Sequence, residues 1–423
     1  MALLLCSLSG CALTKCIVTN EQTDRPFNSL GRAVHLDLNH DGYVIAVEKR
    51  YWEEIGDPAK HYAERFTPLP SDSEDHIRQN ARFESVTNDT KAMVITHIAS
   101  FFEGRQFLYN AYDEYGHDKA NYESGYQGLD SFQKNLLNRL NSARNNQLPY
   151  THIFILAMGW NNDQHKSIWR YNQMIMHLKE EANNQGIAFH PLAITLTWPS
   201  VWKGVSDSWF EKKVMGHAGS YFNKANDADE IGYTIANWIL NKQLAEVKSS
   251  YGKEDFPFVT AIGHSFGARL LSRALDSPPH FMDDSLKEDT KTVDLFVGMQ
   301  GAFSVNRFIK EAGAEGSPYT DFKDWGTRGV LTSSHHDSAV PVARYTSGAS
   351  HVGGKFGLSL AEKNPDIFEV QKWDGETPPR IPRDKVTVFN CDSIIKGDQA
   401  HNDVLDLEMA KLIWTCILHM QNE

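Results

Sequence analysis

Short apolar runs alternate with amphipathic segments along most of this 423-residue chain. The runs 152–158 (HIFILAM), 258–262 (FVTAI) and 295–299 (LFVGM) are continuous, as expected of strands buried on both faces. Segments 128–146 and 228–244 instead place their apolar residues at helical spacing. Strands that alternate with helices indicate βαβ units, so the sequence predicts an α/β fold with a mostly parallel sheet and helices on both faces.

The length of the chain suits one large domain with a smaller appendage. We expect an N-terminal region at 17–90 and an α/β domain at 91–423, with insertions near 201–226, 304–328 and 345–383 above the strand ends. The formal net charge is −12, and Lys and Arg do not gather into a stripe. This charge pattern argues against nucleic acid as a partner.

Residues 1–16 form a short apolar stretch that contains the run Leu8-Ser9-Gly10-Cys11. This run resembles the lipobox of bacterial lipoproteins, in which Cys11 would be lipidated and become the new N-terminus. Two or three acyl chains would hold such a protein on a membrane surface. We therefore interpret this stretch as a signal and anchor segment of a cell-envelope protein. A plain apolar N-terminus of a cytoplasmic protein is the alternative.

The segment FPFVTAIGHSFGARLLSRAL joins a strand-like run to a helix through Gly263-His264-Ser265-Phe266-Gly267. A serine on such a sharp turn projects its hydroxyl beyond the carboxyl edge of the sheet. The turn is so tight that side chains two positions before and after the serine would clash, and Gly263 and Gly267 remove both clashes. The pattern therefore predicts Ser265 as a nucleophile above a helix N-terminus, which favours negative charge.

A serine nucleophile needs a base and a group that orients the base. The strand–turn–helix arrangement around Ser265 resembles the nucleophile elbow of α/β-hydrolases, and this resemblance implies that the acid and then the histidine follow the serine along the chain, each on a loop after a later strand. Asp337 follows the strand-like run VLTSS and is the candidate acid, with Asp392 as its rival. His401 precedes the last helix and is the candidate base, whereas His335 and His336 adjoin the acid and are misplaced for this role.

An acyl-transfer site also needs two N–H donors for the oxyanion that forms during attack. The backbone N–H of Phe266, directly after the serine, is the first candidate. The second is the N–H of Trp160, in the loop Gly159-Trp160-Asn161-Asn162 that follows a buried strand. Gly159 would let this loop approach the substrate closely.

Three motifs occur in the order AMGWNND, LTWPS and GHSFG. In this combination the chain resembles bacterial α/β-hydrolases of an uncharacterised serine-esterase type, over roughly residues 91–423. The resemblance implies an α/β-hydrolase fold, the triad Ser265, Asp337 and His401, and acyl transfer to water without an organic cofactor. Met158 stands where the pattern usually has a histidine.

A carboxylesterase or lipase acting on a small-molecule or lipid ester is the first functional interpretation. A thioesterase, an amidase or a phospholipase would use the same triad. Two alternatives from other classes are a non-catalytic lipoprotein that uses the fold as a binding scaffold, and a calcium-dependent surface interaction module.

Residues 37–48 match the pattern D-x-[DN]-x-[DN]-G-x5-E of a calcium-binding loop. Calcium prefers six to eight oxygen ligands, and five residues here could supply them. The candidate ligands are the side chains of Asp37, Asn39, Asp41 and Glu48 and the carbonyl of Tyr43. A polar turn between two elements is the alternative, because only one such loop occurs and Ile45 offers no side-chain oxygen.

Overall fold

The computed structural model describes most of the chain from residue 37 to its end. The residues it leaves out are 1–36, 52–54, 57–90, 113–118, 160–161, 163, 201–215, 277–291, 311–312, 314, 317, 320, 338, 341–347 and 397–399. The lipoprotein-like leader with Cys11 and the candidate donor Trp160 therefore lie outside the described residues. The anchor and the envelope location stay predictions from the sequence.

Ten strands of the described chain form one sheet, in the order β3-β2-β1-β5-β4-β6-β7-β8-β10-β9. The strands are β1 (Gly42–Tyr51), β2 (Lys91–Phe101), β3 (Arg105–Asn110), β4 (His152–Ala157), β5 (Pro191–Thr197), β6 (Phe258–His264), β7 (Leu295–Met299), β8 (Arg328–Ser333), β9 (Phe368–Lys372) and β10 (Val386–Asn390). Only β2 pairs in antiparallel fashion, with β1 and β3. The other pairs are parallel, which confirms the predicted α/β class and mostly parallel sheet.

Helices cover both faces of this sheet. They are α1 (Tyr122–Asn145), α2 (Gln164–Asn184), α3 (Gly216–Ile231), α4 (Leu244–Tyr251), α5 (Phe266–Leu275), α6 (Lys355–Glu362) and α7 (Leu407–Gln421). Two π-helical segments, Gly232–Ala236 and Ile239–Gln243, connect α3 to α4. One apolar core packs α1, α3, α4, α5 and α6 on one face, and the other packs α2 and α7 on the opposite face. In the described part, no helix is long and apolar enough to cross a bilayer.

Strand β1 corrects two predictions from the sequence. The sequence assigns residues 37–48 to a calcium loop and 17–90 to an N-terminal region outside the α/β domain, but residues 42–51 lie inside the sheet between β2 and β5. The charged residues near the end of this strand are buried in ion pairs. Arg50 pairs with Glu48, and Lys49 Nζ lies 2.9 Å from Asp227 Oδ1. The predicted insertion at 345–383 likewise contributes α6 and the edge strand β9.

A buried network of two cations and two anions fastens α3 to α5. Asp229 on α3 accepts from Arg269 of α5 (2.5 Å) and from Arg307 (2.9 Å). Glu315 accepts from the same two guanidinium groups, at 2.8 Å and 2.7 Å. Burial alone would raise the pKa of Asp229, but Arg269 and Arg307 hold it well below its usual range, so the carboxylate is charged. Helix α5 is thereby fixed directly behind the turn that carries Ser265.

Replacing one anion of this network should cost far more stability than replacing an exposed carboxylate. We expect Asp229→Asn to lower the free energy of unfolding by about 3 kcal/mol or more, because two buried guanidinium groups lose a shared counter-charge. Urea unfolding measures this loss. Asp255→Asn is the matched control, since Asp255 is 74% exposed, and should stay within about 0.5 kcal/mol. Equal effects of the two variants would show that the network is not stabilising.

The stability of the fold should also fall in mild acid, because buried histidines resist protonation. His152 lies among Phe154, Phe189 and Trp414, and burial lowers its pKa from 6.5 to about 4, with Gln421 opposing part of that shift. Below pH 6.5 the unfolded chain binds a proton at this residue that the folded chain binds only near pH 4. The unfolding free energy therefore decreases as the pH falls through this window.

We expect His152→Gln to reduce this pH dependence between pH 6 and 4.5 by roughly one proton, or about 1.4 kcal/mol per pH unit. Urea unfolding of both proteins at several pH values gives the two slopes. Identical slopes would mean that His152 takes up its proton equally in the folded and unfolded states.

Candidate active site

The backbone at Ser265 adopts a conformation that most residues avoid. Its φ is +56° and its ψ is −119°, between the end of β6 and the first residue of α5. The Ser265 N–H donates to the carbonyl of Met299 (2.9 Å), and its own carbonyl accepts from the N–H of Ala302 (3.1 Å). A positive φ in a non-glycine residue costs free energy, and such strain occurs mostly at functional sites. Ser265 is only 5% exposed, at the carboxyl edge of the sheet.

The two glycines of the turn are required by close packing. A Cβ atom at Gly263 would lie 2.5 Å from Ala268 Cα, and one at Gly267 would lie 2.0 Å from the carbonyl oxygen of Ala157. Real Cβ contacts are not this short, so larger residues would push α5 away from β4 and β6. The structure thus gives the same reason for both glycines as the sequence pattern does.

Gly159 brings the loop after β4 against the same turn. A Cβ atom at this position would lie 2.5 Å from Ser265 Cβ and 2.9 Å from the backbone nitrogen of Phe266. The backbone at Gly159 therefore runs directly beside the serine and the N-terminus of α5. This is where an oxyanion would form if Ser265 attacked a carbonyl group.

Residues that follow β5 hold this loop in place. The Trp198 indole N–H donates to the carbonyl of Met158 (2.8 Å). The Ser200 hydroxyl accepts from the N–H of Asn162 (3.1 Å) and donates to its carbonyl (2.6 Å), while the Asn162 side chain donates to the carbonyl of Gly159 (2.9 Å). Met158, Gly159 and Asn162 are therefore tied to Trp198 and Ser200 of the TWPS motif. Because Trp198 binds the Met158 backbone, that contact does not depend on which side chain stands at this position.

Asp337 and His401, which are 64 positions apart in the chain, are joined by a direct hydrogen bond. His401 Nδ1 lies 2.7 Å from Asp337 Oδ2. The other oxygen of Asp337 accepts from the N–H of Ala339 (2.9 Å), and the carboxylate is 1% exposed. Burial alone would raise the pKa of Asp337, but His401 and the other donors hold it below its usual value, so Asp337 is ionised. With Nδ1 engaged, Nε2 is the ring nitrogen of His401 that can accept a proton.

His264 connects this pair to the turn of Ser265. Its Nε2 donates to the carbonyl of His401 (2.8 Å), and the two rings lie 4.9 Å apart. A carbonyl can only accept, so Nε2 of His264 carries the proton. Burial, reinforced by the nearby charges of His401 and Arg170, holds the pKa of His264 well below 6.5. A neutral His264 thus fixes the backbone of His401 beside the residue that precedes Ser265.

The rival acid Asp392 has different partners. Its two carboxylate oxygens accept from the hydroxyl of Ser334 (2.9 Å), from the backbone N–H of His335 (2.8 Å) and from Nδ1 of the same histidine (2.9 Å). These contacts hold Asp392 against the loop after β8. Of the two acids proposed from the sequence, Asp337 is the one hydrogen-bonded to His401.

Gln300, which sequence reasoning missed, supports Asp337 from the end of β7. Its amide nitrogen donates to Asp337 Oδ2 (3.0 Å) and to the carbonyl of Gly353 (2.7 Å). Its amide oxygen accepts from the hydroxyl of Thr332 (2.9 Å), and its backbone has a positive φ of 46°. Only its position directly after a buried strand, at the same sheet edge as Ser265, could have indicated this role.

The residues of the predicted calcium loop are not brought together. The proposed ligands were Asp37, Asn39, Asp41, Tyr43 and Glu48. Glu48 lies within β1, about 20 Å along the strand from Asp41. Asp41 accepts from the Tyr150 hydroxyl (2.5 Å), and Asp37 pairs with Arg105 (3.4 Å). The apolar residues after Gly42 favour a strand over a loop, so these ligands do not fit a calcium ion.

No other metal site takes the place of this loop in the part of the chain that the structure describes. There, no group of three or more His, Cys, Asp or Glu side chains is arranged to hold a metal ion.

The hydrogen bond between His401 and Asp337 should be visible by proton NMR. A hydrogen bond from Nδ1–H to a buried carboxylate is short and charge-assisted, so we expect a proton resonance far downfield of the amide region. Asp337→Asn should remove it or move it strongly, and Gln300→Leu should shift it. Asp392→Asn is the control and should leave it in place. If the resonance responds to Asp392→Asn and not to Asp337→Asn, the assignment of the two acids is wrong.

Comparison with known proteins adds little to this geometry. No protein-family model matches the chain, and no curated protein matches it either. Among solved structures, an acetylxylan esterase is similar over 64% of this chain and 97% of its own length, with 10% sequence identity and a TM-score of 0.28. A likeness this distant carries no argument about activity, so the function must be inferred from the site itself.

Proposed function

We propose that this protein is a serine hydrolase of the α/β-hydrolase type that cleaves an ester-type acyl substrate. The observation that carries this proposal is the hydrogen bond of 2.7 Å between His401 and Asp337, together with the contact of His264 to the same loop. An ionised buried acid, a histidine oriented by it and a serine on a strained turn lie at one sheet edge. This is the set of groups that nucleophilic acyl transfer requires.

In the proposed mechanism, Nε2 of His401 takes the proton of Ser265 as Oγ attacks the carbonyl carbon. Asp337 keeps the imidazole in the correct tautomer and stabilises the imidazolium that forms. The C–O bond of the ester then breaks, the leaving alcohol receives the proton from His401, and an acyl-enzyme remains. His401 next removes a proton from water, which attacks the acyl carbon. The bond from this carbon to Ser265 Oγ then breaks, His401 returns the proton to Oγ, and the acid is released.

We assign the oxyanion hole to the backbone N–H groups of Phe266 and Trp160. Support comes from Gly159, whose backbone runs beside Ser265 and the start of α5. The partial positive charge at the helix N-terminus adds to the stabilisation of the oxyanion. A carboxylesterase or lipase is the first choice of activity, although thioester, amide and phospholipid substrates would use the same groups.

The test is hydrolysis of p-nitrophenyl esters from acetate to palmitate by the wild type and by Ser265→Ala. We expect turnover by the wild type, with a chain-length optimum that divides esterase from lipase. The variant should lose kcat by a factor on the order of 10⁴ or more. Ser131→Ala makes the same chemical change on the exposed face of α1 and serves as the control. Retained turnover in Ser265→Ala would overturn the mechanism, and no turnover at any length would favour a binding scaffold.

A further inference from the structure

Arg170 on α2 is a buried cation without a carboxylate partner among the described residues. Its side chain is 5% exposed, and its one hydrogen bond joins Nη2 to the amide oxygen of Asn402 (3.1 Å). Its Nε and Nη1 atoms are buried without a hydrogen-bond partner. Among the other buried arginines, Arg50, Arg269 and Arg307 pair with carboxylates, and Arg273 lies over the ring of Tyr233.

Burial of an unpaired guanidinium group destabilises the folded state unless another group compensates for its charge. Removing an ion from water costs several kcal/mol, and a neutral amide oxygen offsets only a small part of that. Burial lowers the pKa of Arg170, but a guanidinium group stays protonated in proteins. The cation is therefore kept, and an anion that pairs with its two unused donors would stabilise it.

The position of Arg170 makes this charge relevant to the candidate active site. Asn402 directly follows His401, in the short 3₁₀ helix Ala400–Leu405. The charge of Arg170 also contributes to the lowered pKa of His264, the residue before Ser265. An anion held by Arg170 would thus sit against the loop that carries the candidate base.

The first two turns of α2 carry positive charge, which would attract the same anion. Over its first seven residues, from Gln164 to Arg170, the helix carries Lys166 and Arg170 and no acid. Lys166 also contributes to the lowered pKa of His264, so its charge reaches the same region. The N-terminal end of the helix dipole adds further positive potential.

We propose that Arg170 binds an anionic oxygen group of the substrate, a carboxylate or a phosphate, so that the preferred ester carries a negative charge near its scissile bond. This inference rests on the proposed hydrolase function and narrows its substrate class. Arg170 would act in substrate selection, by ion pairing through Nε and Nη1, while the triad performs the chemistry.

The test compares matched anionic and neutral esters. p-Nitrophenyl hemisuccinate is compared with p-nitrophenyl butyrate for a carboxylate, and a monoacyl glycerol phosphate with the corresponding monoacylglycerol for a phosphate. Arg170→Gln should lower the ratio of kcat/KM for the anionic over the neutral ester at least tenfold, mainly through KM. Arg170→Lys should keep part of the preference. The pair that responds identifies the anion.

Arg144→Gln is the matched control, because it makes the same change at the exposed C-terminal end of α1. It should keep the wild-type ratio. An unchanged ratio in Arg170→Gln would overturn the inference. An equal loss for charged and neutral esters would also overturn it, because it would show that Arg170 only holds Asn402 and the His401 loop in place.

A binding measurement separates failure of this inference from failure of the proposed function. Succinate and inorganic phosphate are titrated calorimetrically into Ser265→Ala, with and without Arg170→Gln. Binding that needs Arg170 would support the anion site even if the wild type cleaves no ester. No binding of either anion to folded Ser265→Ala would overturn the anion site whatever the protein hydrolyses.

Discussion

The backbone conformation of Ser265 is the constraint on which the rest of the site depends. A φ of +56° in a serine costs about 1–3 kcal/mol, which the surrounding contacts must offset. Hydrogen bonds to Met299 and from Ala302 hold the turn on one side. The absence of side chains at Gly159 and Gly267 lets β4 and its loop pack directly against it. A larger residue at either glycine would displace Ser265, so the conformation of the turn depends on this close packing.

Parallel strand order then brings the other groups to the same place. Strands β6, β7, β8 and β10 are consecutive neighbours in the sheet, and their carboxyl ends share one edge. The turn after β6 carries Ser265, the residue after β7 is Gln300, the loop after β8 holds Asp337, and the segment after β10 leads to His401. Buried ion pairs between α3 and α5 support this edge from behind. These four residues, which are far apart in the sequence, therefore lie at the same edge because each one follows a neighbouring strand.

The sequence revealed those parts of the fold whose signals are local. Buried parallel strands appear as continuous apolar runs and helices as periodic ones, and both were predicted. Strand β1 was predicted wrongly because residues 37–48 match a calcium-loop pattern, whereas in the sheet Glu48 pairs with Arg50 and Lys49 with Asp227. Strand β9 was missed because it lies at the sheet edge and is only partly buried.

The residues of the candidate site also fall into two groups, those that the sequence could indicate and those that it could not. Ser265 could be proposed from the strand–turn–helix pattern, and Asp337 and His401 from the resemblance to α/β-hydrolases, which implies where the acid and the base follow the serine along the chain. Gln300 and Arg170 could not be proposed, because a glutamine after a strand and an arginine on an amphipathic helix are ordinary in sequence. Their importance depends on what they contact, or fail to contact, in three dimensions.

The most direct test of the central claim is covalent labelling of the folded wild-type protein with a fluorophosphonate, followed by peptide mapping. The account predicts that the label forms a bond to Ser265 alone and that heat-denatured protein is not labelled. A folded protein that stays unlabelled, or that carries the label on another residue, would contradict the assignment of Ser265 as an activated nucleophile.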